Sequence, residues 1–127
     1  MENTNPVIYF EIPVNNLHRA EHFYKTVFGF RFERETIDGY EMSFFPFEDK
    51  ARGITGALAK GDVYKPSKNG IIIYFNTDNI DMLVVKAVQE NGKILYPKKF
   101  NEKYGFWVAE FEDSEGNRIA LQEFIKE

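Results

Sequence analysis

The sequence has no cysteine and little of the chemistry that usually holds metals or attacks substrates. None of the 127 residues is Cys, two are His and one is Trp. The missing cysteines exclude disulfides, thiolate catalysis and thiolate-bound metals. They leave the compartment open, but the first ten residues lack the basic-then-apolar pattern of a signal peptide, so we expect a cytoplasmic location.

Charge and hydropathy exclude two classes of partner. Lys and Arg number 16 against 20 Asp and Glu, a formal net charge of −4, and the basic residues form no run. We therefore expect no nucleic-acid partner. The longest apolar stretch, around residues 70–75, is too short to cross a bilayer, so we expect no membrane partner. Aromatic residues are abundant, at 17% of the chain, which is typical of a domain with a large core.

The order of sequence patterns repeats along the chain at a shift of 63 residues. Residues 7–14 and 71–77 are rich in Val, Ile, Phe and Tyr, and each stretch leads into Asn or Asp residues suited to capping a helix. Amphipathic stretches at 16–28 and 79–91 follow, and a glycine comes directly after each. A constant shift over so many residues indicates an internal duplication.

Three further strands are expected in each half. They are placed near 30–36, 40–46, 54–60, 93–96, 105–112 and 118–124. Residues 61–70, with Gly, Pro, Ser and Asn, form the predicted linker. The predicted fold class is α+β, with a single domain over 1–127 and two βαβββ modules at about 6–61 and 70–125. Alternating strands suit a curled mixed sheet that has helices on its outer face and encloses a cup-shaped cavity.

Two segments carry a family resemblance. The sequences "AEHFYKTVFGF" at 20–30 and "DSEGNRIAL" at 113–121, within paired βαβββ modules, resemble the vicinal oxygen chelate superfamily. That superfamily includes glyoxalase I, extradiol dioxygenases, and the bleomycin and fosfomycin resistance proteins. Within it, the chain is similar to a bacterial subgroup related to lactoylglutathione lyase. The resemblance implies the cup-shaped fold and a homodimer.

The resemblance also implies where a metal would lie. In metal-using members each module supplies two ligands, one from its first strand and one from its last, and the metal acts as a Lewis acid. Carried over, these positions are Tyr9, Ala57, Ile72 and Ala120. A phenol and three hydrocarbon side chains do not hold a divalent ion, so we predict no metal and no other cofactor.

A shift in strand register by two residues would bring other side chains to the same places. Glu11, Tyr74 and Gln122 would then face the cup. One carboxylate and one amide are a weak pair of ligands, and the family site needs three or four donors. A divalent metal is therefore kept only as the alternative.

The same carried-over positions give the expected ligand site. The residues predicted to line the cup are Tyr9, Glu11, Met42, Phe44, Ala57, Ile72, Tyr74, Trp107, Ala120 and Gln122. Aromatic residues in strands are most often core, but the two small alanines leave room where relatives place ligands. The expected function is metal-free binding of a small aromatic molecule in the cup between the modules.

Glu11 and Tyr9 are the candidates for catalysis. Glu11 is either a rim carboxylate, solvated or paired with Arg118 or a lysine, or a general base or hydrogen-bond acceptor. We favour the rim role, because no partner acid is identifiable. The alternative function is a lyase, isomerase or oxygenase that uses Glu11 and Tyr9 as acid and base groups, or a recruited divalent metal.

The two histidines form a suggestive pair. His18 and His22 are four residues apart on the first predicted helix, a spacing that places both imidazoles on one face. The apolar residues of this helix occupy the opposite arc and would pack on the sheet. We therefore expect both histidines on a solvated helix face, away from the cup.

Overall fold

The computed structural model describes residues 5–124. The first module contains β1 (Phe10–Val14), α1 (Leu17–Phe28), β2 (Glu33–Ile37), β3 (Tyr40–Phe44) and β4 (Gly56–Lys60). The second module contains β5 (Ile73–Asn76), α2 (Ile80–Gln89), β6 (Lys93–Asn101), β7 (Phe106–Glu112) and β8 (Arg118–Phe124). The predicted outer limits of the domain at 1 and 127, and of the second module at 125, lie outside the described residues.

Each module forms one four-stranded sheet. The strand orders are β1-β4-β3-β2 and β5-β8-β7-β6. The pairs β1–β4 and β5–β8 are parallel and the others are antiparallel. The predicted α+β fold of two βαβββ modules is thus confirmed, with the eight strands divided between two mixed sheets. Both β1 and β5 are edge strands.

The strand registers confirm the internal duplication. Glu11 lies opposite Ala57 in the first module, and Tyr74 lies opposite Ala120 in the second. Adding 63 to the first pair of residue numbers gives the second pair, so the predicted shift holds at the level of individual backbone pairs. Equivalent side chains therefore point to equivalent sides of the two sheets.

Both helices begin at the predicted asparagine caps. Asn16 and Asn79 each accept a hydrogen bond from a backbone N–H in the first turn, at 2.9 and 3.1 Å. α1 ends at Gly29, whose φ of 82° is the left-handed conformation of a helix C-cap. α2 ends at Gln89, before the predicted residue 91, because Asn91 already adopts the left-handed conformation with φ 71°.

The strand β6 is longer than predicted. It was expected near 93–96 but extends to Asn101 and includes Pro97. Its register with β7 shifts between Ile94 and Tyr96 and again between Tyr96 and Lys99. Because β6 is an edge strand, it accommodates a proline at such an irregularity.

A single hydrophobic core joins the two modules. It contains residues from both helices and from strands of both sheets. The rings of Phe23 in α1 and Phe111 in β7, for example, lie 5.9 Å apart, although they belong to different modules. We call the opposite face of each sheet its open side; Glu11 and Ala57 mark it in the first module, and Tyr74 and Ala120 in the second. Among residues 5–124, neither helix is long and apolar enough to span a membrane.

Candidate ligand-binding site

A groove of about 1100 Å³ separates β1 from β5. These strands are the edges of their respective sheets and form no ladder with each other. On the side of the core, the gap is bridged by Phe10 and Phe75, whose ring centroids are 6.2 Å apart. The groove is lined mainly by apolar groups, with Tyr9 just before β1, Ile72 just before β5 and Tyr74 within β5. It therefore has the size and character of a site for a small organic molecule.

Four of the ten residues predicted to line a cup lie in this groove. They are Tyr9, Glu11, Ile72 and Tyr74. The other six are not among the residues that line it. These are Met42, Phe44, Ala57, Trp107, Ala120 and Gln122. The groove follows the first strands of the modules, whereas the last strands, β4 and β8, lie one strand further in.

The open side of the first sheet is covered by a residue that the sequence analysis missed. Tyr64, in the linker, packs against the buried cluster of Met42, Ala57 and Ala59, as Phe44 also does. Its ring also contacts Tyr40, edge to face, with centroids 5.4 Å apart. As a result Met42 is only 4% exposed and Ala57 is fully buried. A lone tyrosine in a segment rich in Gly, Pro and Ser has no periodic pattern that would have predicted this role.

Trp107 lies on the opposite face of its sheet from the one predicted. It packs beside the hydrophobic core, with the ring of Phe100 at 4.9 Å and the Lys98 ammonium 4.6 Å from its own ring centroid. Strand alternation puts Val108 and Glu110, rather than Trp107, on the open side with Gln122. The alternation along β7 can be seen in the sequence. The error was to assign Trp107 to the same cavity lining as residues that lie on the other face of the sheet.

Ala120 and Gln122 lie on the open side of the second sheet. Ala120 is fully buried between its neighbours Tyr74 and Glu110. Glu110 forms an ion pair with Arg118, whose guanidinium lies 5.2 Å from the ring centroid of Tyr96. The open side of the second sheet is therefore a polar surface beside the groove, on which Glu110 and Arg118 neutralise each other.

The side chains at the family's metal positions do not fit a metal ion. Ala57, Ile72 and Ala120 have no donor atom, and the hydroxyl of Tyr9 already donates a hydrogen bond to Glu11 at 2.9 Å. Within residues 5–124, no three Asp, Glu or His side chains come together in a way that could hold an ion. The metal-free state of this site stays a prediction.

Glu11 is held by two tyrosines rather than by a cation. Tyr9 donates to one carboxylate oxygen and Tyr64 donates to the other, each at 2.9 Å. Of the alternatives kept for Glu11, the pairing with Arg118 or a lysine is not formed, since Arg118 pairs with Glu110, and the carboxylate is a hydrogen-bond acceptor. Partial burial, followed by the hydrogen bond to Glu11 and its charge, raises the pKa of Tyr9 to about 12. At neutral pH Tyr9 thus keeps its proton and is a donor, not a base.

The turn after β7 fastens the second module to the first. Glu115 accepts hydrogen bonds from the backbone N–H groups of Asn15 and Asn16, both at 2.9 Å, and from the Arg19 guanidinium. Burial favours the protonated acid, but the bonds from Arg19 and the two N–H groups outweigh it and hold the pKa of Glu115 below its usual range. The carboxylate therefore caps the start of α1, at the edge of the groove.

Two further residues of the same turn complete this attachment. Asp113 accepts a hydrogen bond from the buried Tyr24 hydroxyl of α1 at 2.7 Å. Asn117 donates to the Pro13 carbonyl of β1 at 2.8 Å. The segment that resembled a family motif in the sequence is thus a structural connection between modules, and it sets the position of β1 against β8.

The two histidines lie where the sequence predicted. Both are on the exposed face of α1, and neither lines the groove. His22 Nε2 lies 2.8 Å from a carboxylate oxygen of Glu90, just after α2. The pair is therefore part of the helix surface and takes no part in the candidate site.

Comparison with known proteins agrees with this architecture. The family model "Glyoxalase/Bleomycin resistance protein/Dioxygenase superfamily" matches residues 7–121. Glyoxalase I from Zea mays is similar with a TM-score of 0.71 and 19% identity over 93% of this chain, which spans only 46% of the maize chain. No curated protein matches the sequence.

Two solved structures of similar length also resemble this chain. A glyoxalase/bleomycin resistance protein/dioxygenase family enzyme from Burkholderia phytofirmans has a TM-score of 0.72 and 17% identity, covering 92% of this chain and 97% of its own. A domain of the same description from Frankia sp. has a TM-score of 0.73 and 13% identity, covering 97% and 100%. At such low identity these likenesses concern the fold alone, whereas the family model extends over most of the chain. The chain belongs to the Glyoxalase/Bleomycin resistance protein/Dioxygenase superfamily.

Proposed function

We propose that this protein binds a small organic molecule with a flat, apolar body in the groove between β1 and β5, without a metal and without turnover. The observation that carries the proposal is the groove itself, with a volume of about 1100 Å³ and a mainly apolar lining. Tyr9 and Tyr74, one from each module, offer rings for a flat molecule to contact.

The hydrogen bonds around Glu11 support binding rather than acid–base catalysis. A general base needs a free lone pair directed at the proton that it removes. Each oxygen of Glu11 already accepts a hydrogen bond from a phenol hydroxyl, one from Tyr9 and one from Tyr64, and these bonds make the carboxylate less basic. Tyr9 and Glu11 thus form a polar edge of the groove, which Tyr64 supports from outside the lining. The predicted homodimer stays a prediction.

Titration with an uncharged fluorescent probe tests the proposal. N-phenyl-1-naphthylamine should increase its emission on binding, with one site per chain. Tyr74 is 52% exposed, so Tyr74→Ala removes a ring from the groove with little effect on the core and should weaken binding about fivefold. Tyr104→Ala, at a 64% exposed tyrosine outside the groove, is the matched control and should bind as the unaltered protein does. The proposal would be overturned if the unaltered protein showed no saturable binding of the probe. It would also be overturned if Tyr74→Ala and Tyr104→Ala lost affinity equally.

Metal analysis tests the metal-free part of the proposal. After dialysis against excess Zn²⁺ or Ni²⁺ and then metal-free buffer, mass spectrometry should find well below one metal per chain, because the four family positions lack donors. Any nickel that is retained should be lost in the double variant His18→Ala, His22→Ala, whose probe binding should not change. One equivalent that persists in this variant would contradict the metal-free site.

A further inference from the structure

Only some of the charged residues along the groove have a partner of opposite charge. Three cationic side chains line it: Arg52, Lys65 and Arg118. Arg118 is neutralised by Glu110. Arg52 and Lys65 are exposed and form no ion pair with any carboxylate of residues 5–124. The groove thus offers two unpaired positive charges.

The single acidic residue of the lining does not neutralise them. Glu11 is the only Asp or Glu among the described residues that line the groove. Its two oxygens accept hydrogen bonds from the hydroxyls of Tyr9 and Tyr64, and it forms no ion pair with Arg52 or Lys65. The other polar lining residues, such as Ser67 and Asn76, are neutral.

This excess of positive charge runs against the charge of the whole chain. The protein has a formal net charge of −4, so two unpaired cations beside one apolar groove do not follow from its composition. A groove lined by apolar groups and unpaired cations complements a molecule with an apolar body and an anionic end. Because Arg52 and Lys65 keep contact with water, they add selectivity for charge more than raw affinity.

We infer that the ligand of this groove is an organic anion, a flat apolar molecule whose carboxylate, sulfonate or phosphate group lies against Arg52 and Lys65. This inference rests on the proposed function, since it names the chemical class of the molecule that the groove binds. The apolar body occupies the space between Tyr9 and Tyr74, and the anionic group remains at the solvated mouth.

A pair of probes with the same ring system separates the anion from the apolar body. The anionic member is 1-anilinonaphthalene-8-sulfonate, and the neutral member is N-phenyl-1-naphthylamine. The double variant Arg52→Gln, Lys65→Gln should bind the sulfonate about tenfold more weakly and the neutral probe unchanged. The variant Lys60→Gln, Lys93→Gln makes the same change in net charge at exposed lysines outside the groove, and it should alter neither affinity.

The outcomes distinguish the two proposals. If the neutral probe binds but the sulfonate gains nothing from Arg52 and Lys65, the anionic ligand is wrong and the groove function stands. The anionic ligand is also wrong if both double variants weaken the sulfonate equally, because net charge alone then explains the loss. If neither probe binds, the proposed function falls and the anionic ligand falls with it. A steeper salt dependence for the sulfonate than for the neutral probe, abolished in the Arg52 and Lys65 variant, is the expected supporting result.

Discussion

Glu115→Ala is expected to lower the free energy of unfolding by about 3 kcal/mol, more than any other exchange of a single polar side chain considered for this protein. The Glu115 carboxylate is fully buried and satisfies the N–H groups of Asn15 and Asn16. Alanine would leave both donors without a partner at the start of α1, and it would free the Arg19 guanidinium. Because the bonds cross between modules, their loss also loosens the joint that holds β1 beside the groove.

Chemical denaturation of three variants measures this effect. Glu115→Gln keeps an acceptor but removes the charge, so it should lie between the unaltered protein and Glu115→Ala. Glu102→Ala, at an exposed glutamate after β6, should change the stability by less than about 0.5 kcal/mol. Equal stabilities for Glu115→Ala and Glu102→Ala would show that the turn after β7 does not hold the modules together.

The dependence of stability on pH provides a second test of the contribution of the Glu115 carboxylate. The folded-state pKa of Glu115 is held below its usual range. Its contribution to stability is therefore present above the unfolded value of about 4.3 and is lost as the pH falls through the lower folded value. Glu115→Gln has no such group, so the stability difference between the unaltered protein and this variant should shrink below about pH 4.

Gly70→Trp is expected to weaken probe binding on the order of fiftyfold, the largest effect expected on function. Gly70 lines the groove, and a Cβ at this position would meet no other atom within 4 Å. Its backbone does not require the left-handed conformation that favours glycine. A side chain at this lining position therefore adds no backbone strain, and we expect the indole to occupy space that the ligand needs.

Gly70→Ala is the matched control, because it adds one methyl group at the same position. It should bind the neutral probe within about twofold of the unaltered protein. Both variants should melt close to the unaltered protein, which separates a blocked groove from an unfolded chain. Full affinity in Gly70→Trp, with an intact fold, would mean that the probe binds elsewhere.

The sequence predicted most of the fold because the fold follows from local signals and from the duplication. Asn16 and Asn79 marked both helix starts, and the shift of 63 residues matched Glu11 and Ala57 to Tyr74 and Ala120 before any contact was known. The length of β6 was missed because a proline interrupts a strand pattern, and only the tertiary structure shows that this strand is an edge.

The candidate site was predicted only in part. Tyr9, Glu11 and Tyr74 line the groove together with their neighbours in sequence, because the groove runs along the edge strands β1 and β5. The separation of β1 from β5 depends on how two sheets pack around one core, which no local pattern encodes. The role of Tyr64 depends on the path of an irregular linker. Its ring packs on the cluster that contains the carried-over position Ala57, which is buried, whereas the carried-over positions Tyr9 and Ile72 line the groove.

Amide chemical-shift mapping with N-phenyl-1-naphthylamine tests the central claim most directly. Two-dimensional ¹H–¹⁵N spectra would be recorded during titration of the unaltered protein. The account predicts that the largest shifts fall on residues 9–13 and 70–76, on the two sides of the groove, with little change along α2 or β6. Shifts concentrated on α2 or β6, or none at saturating probe, would contradict a ligand site between the modules.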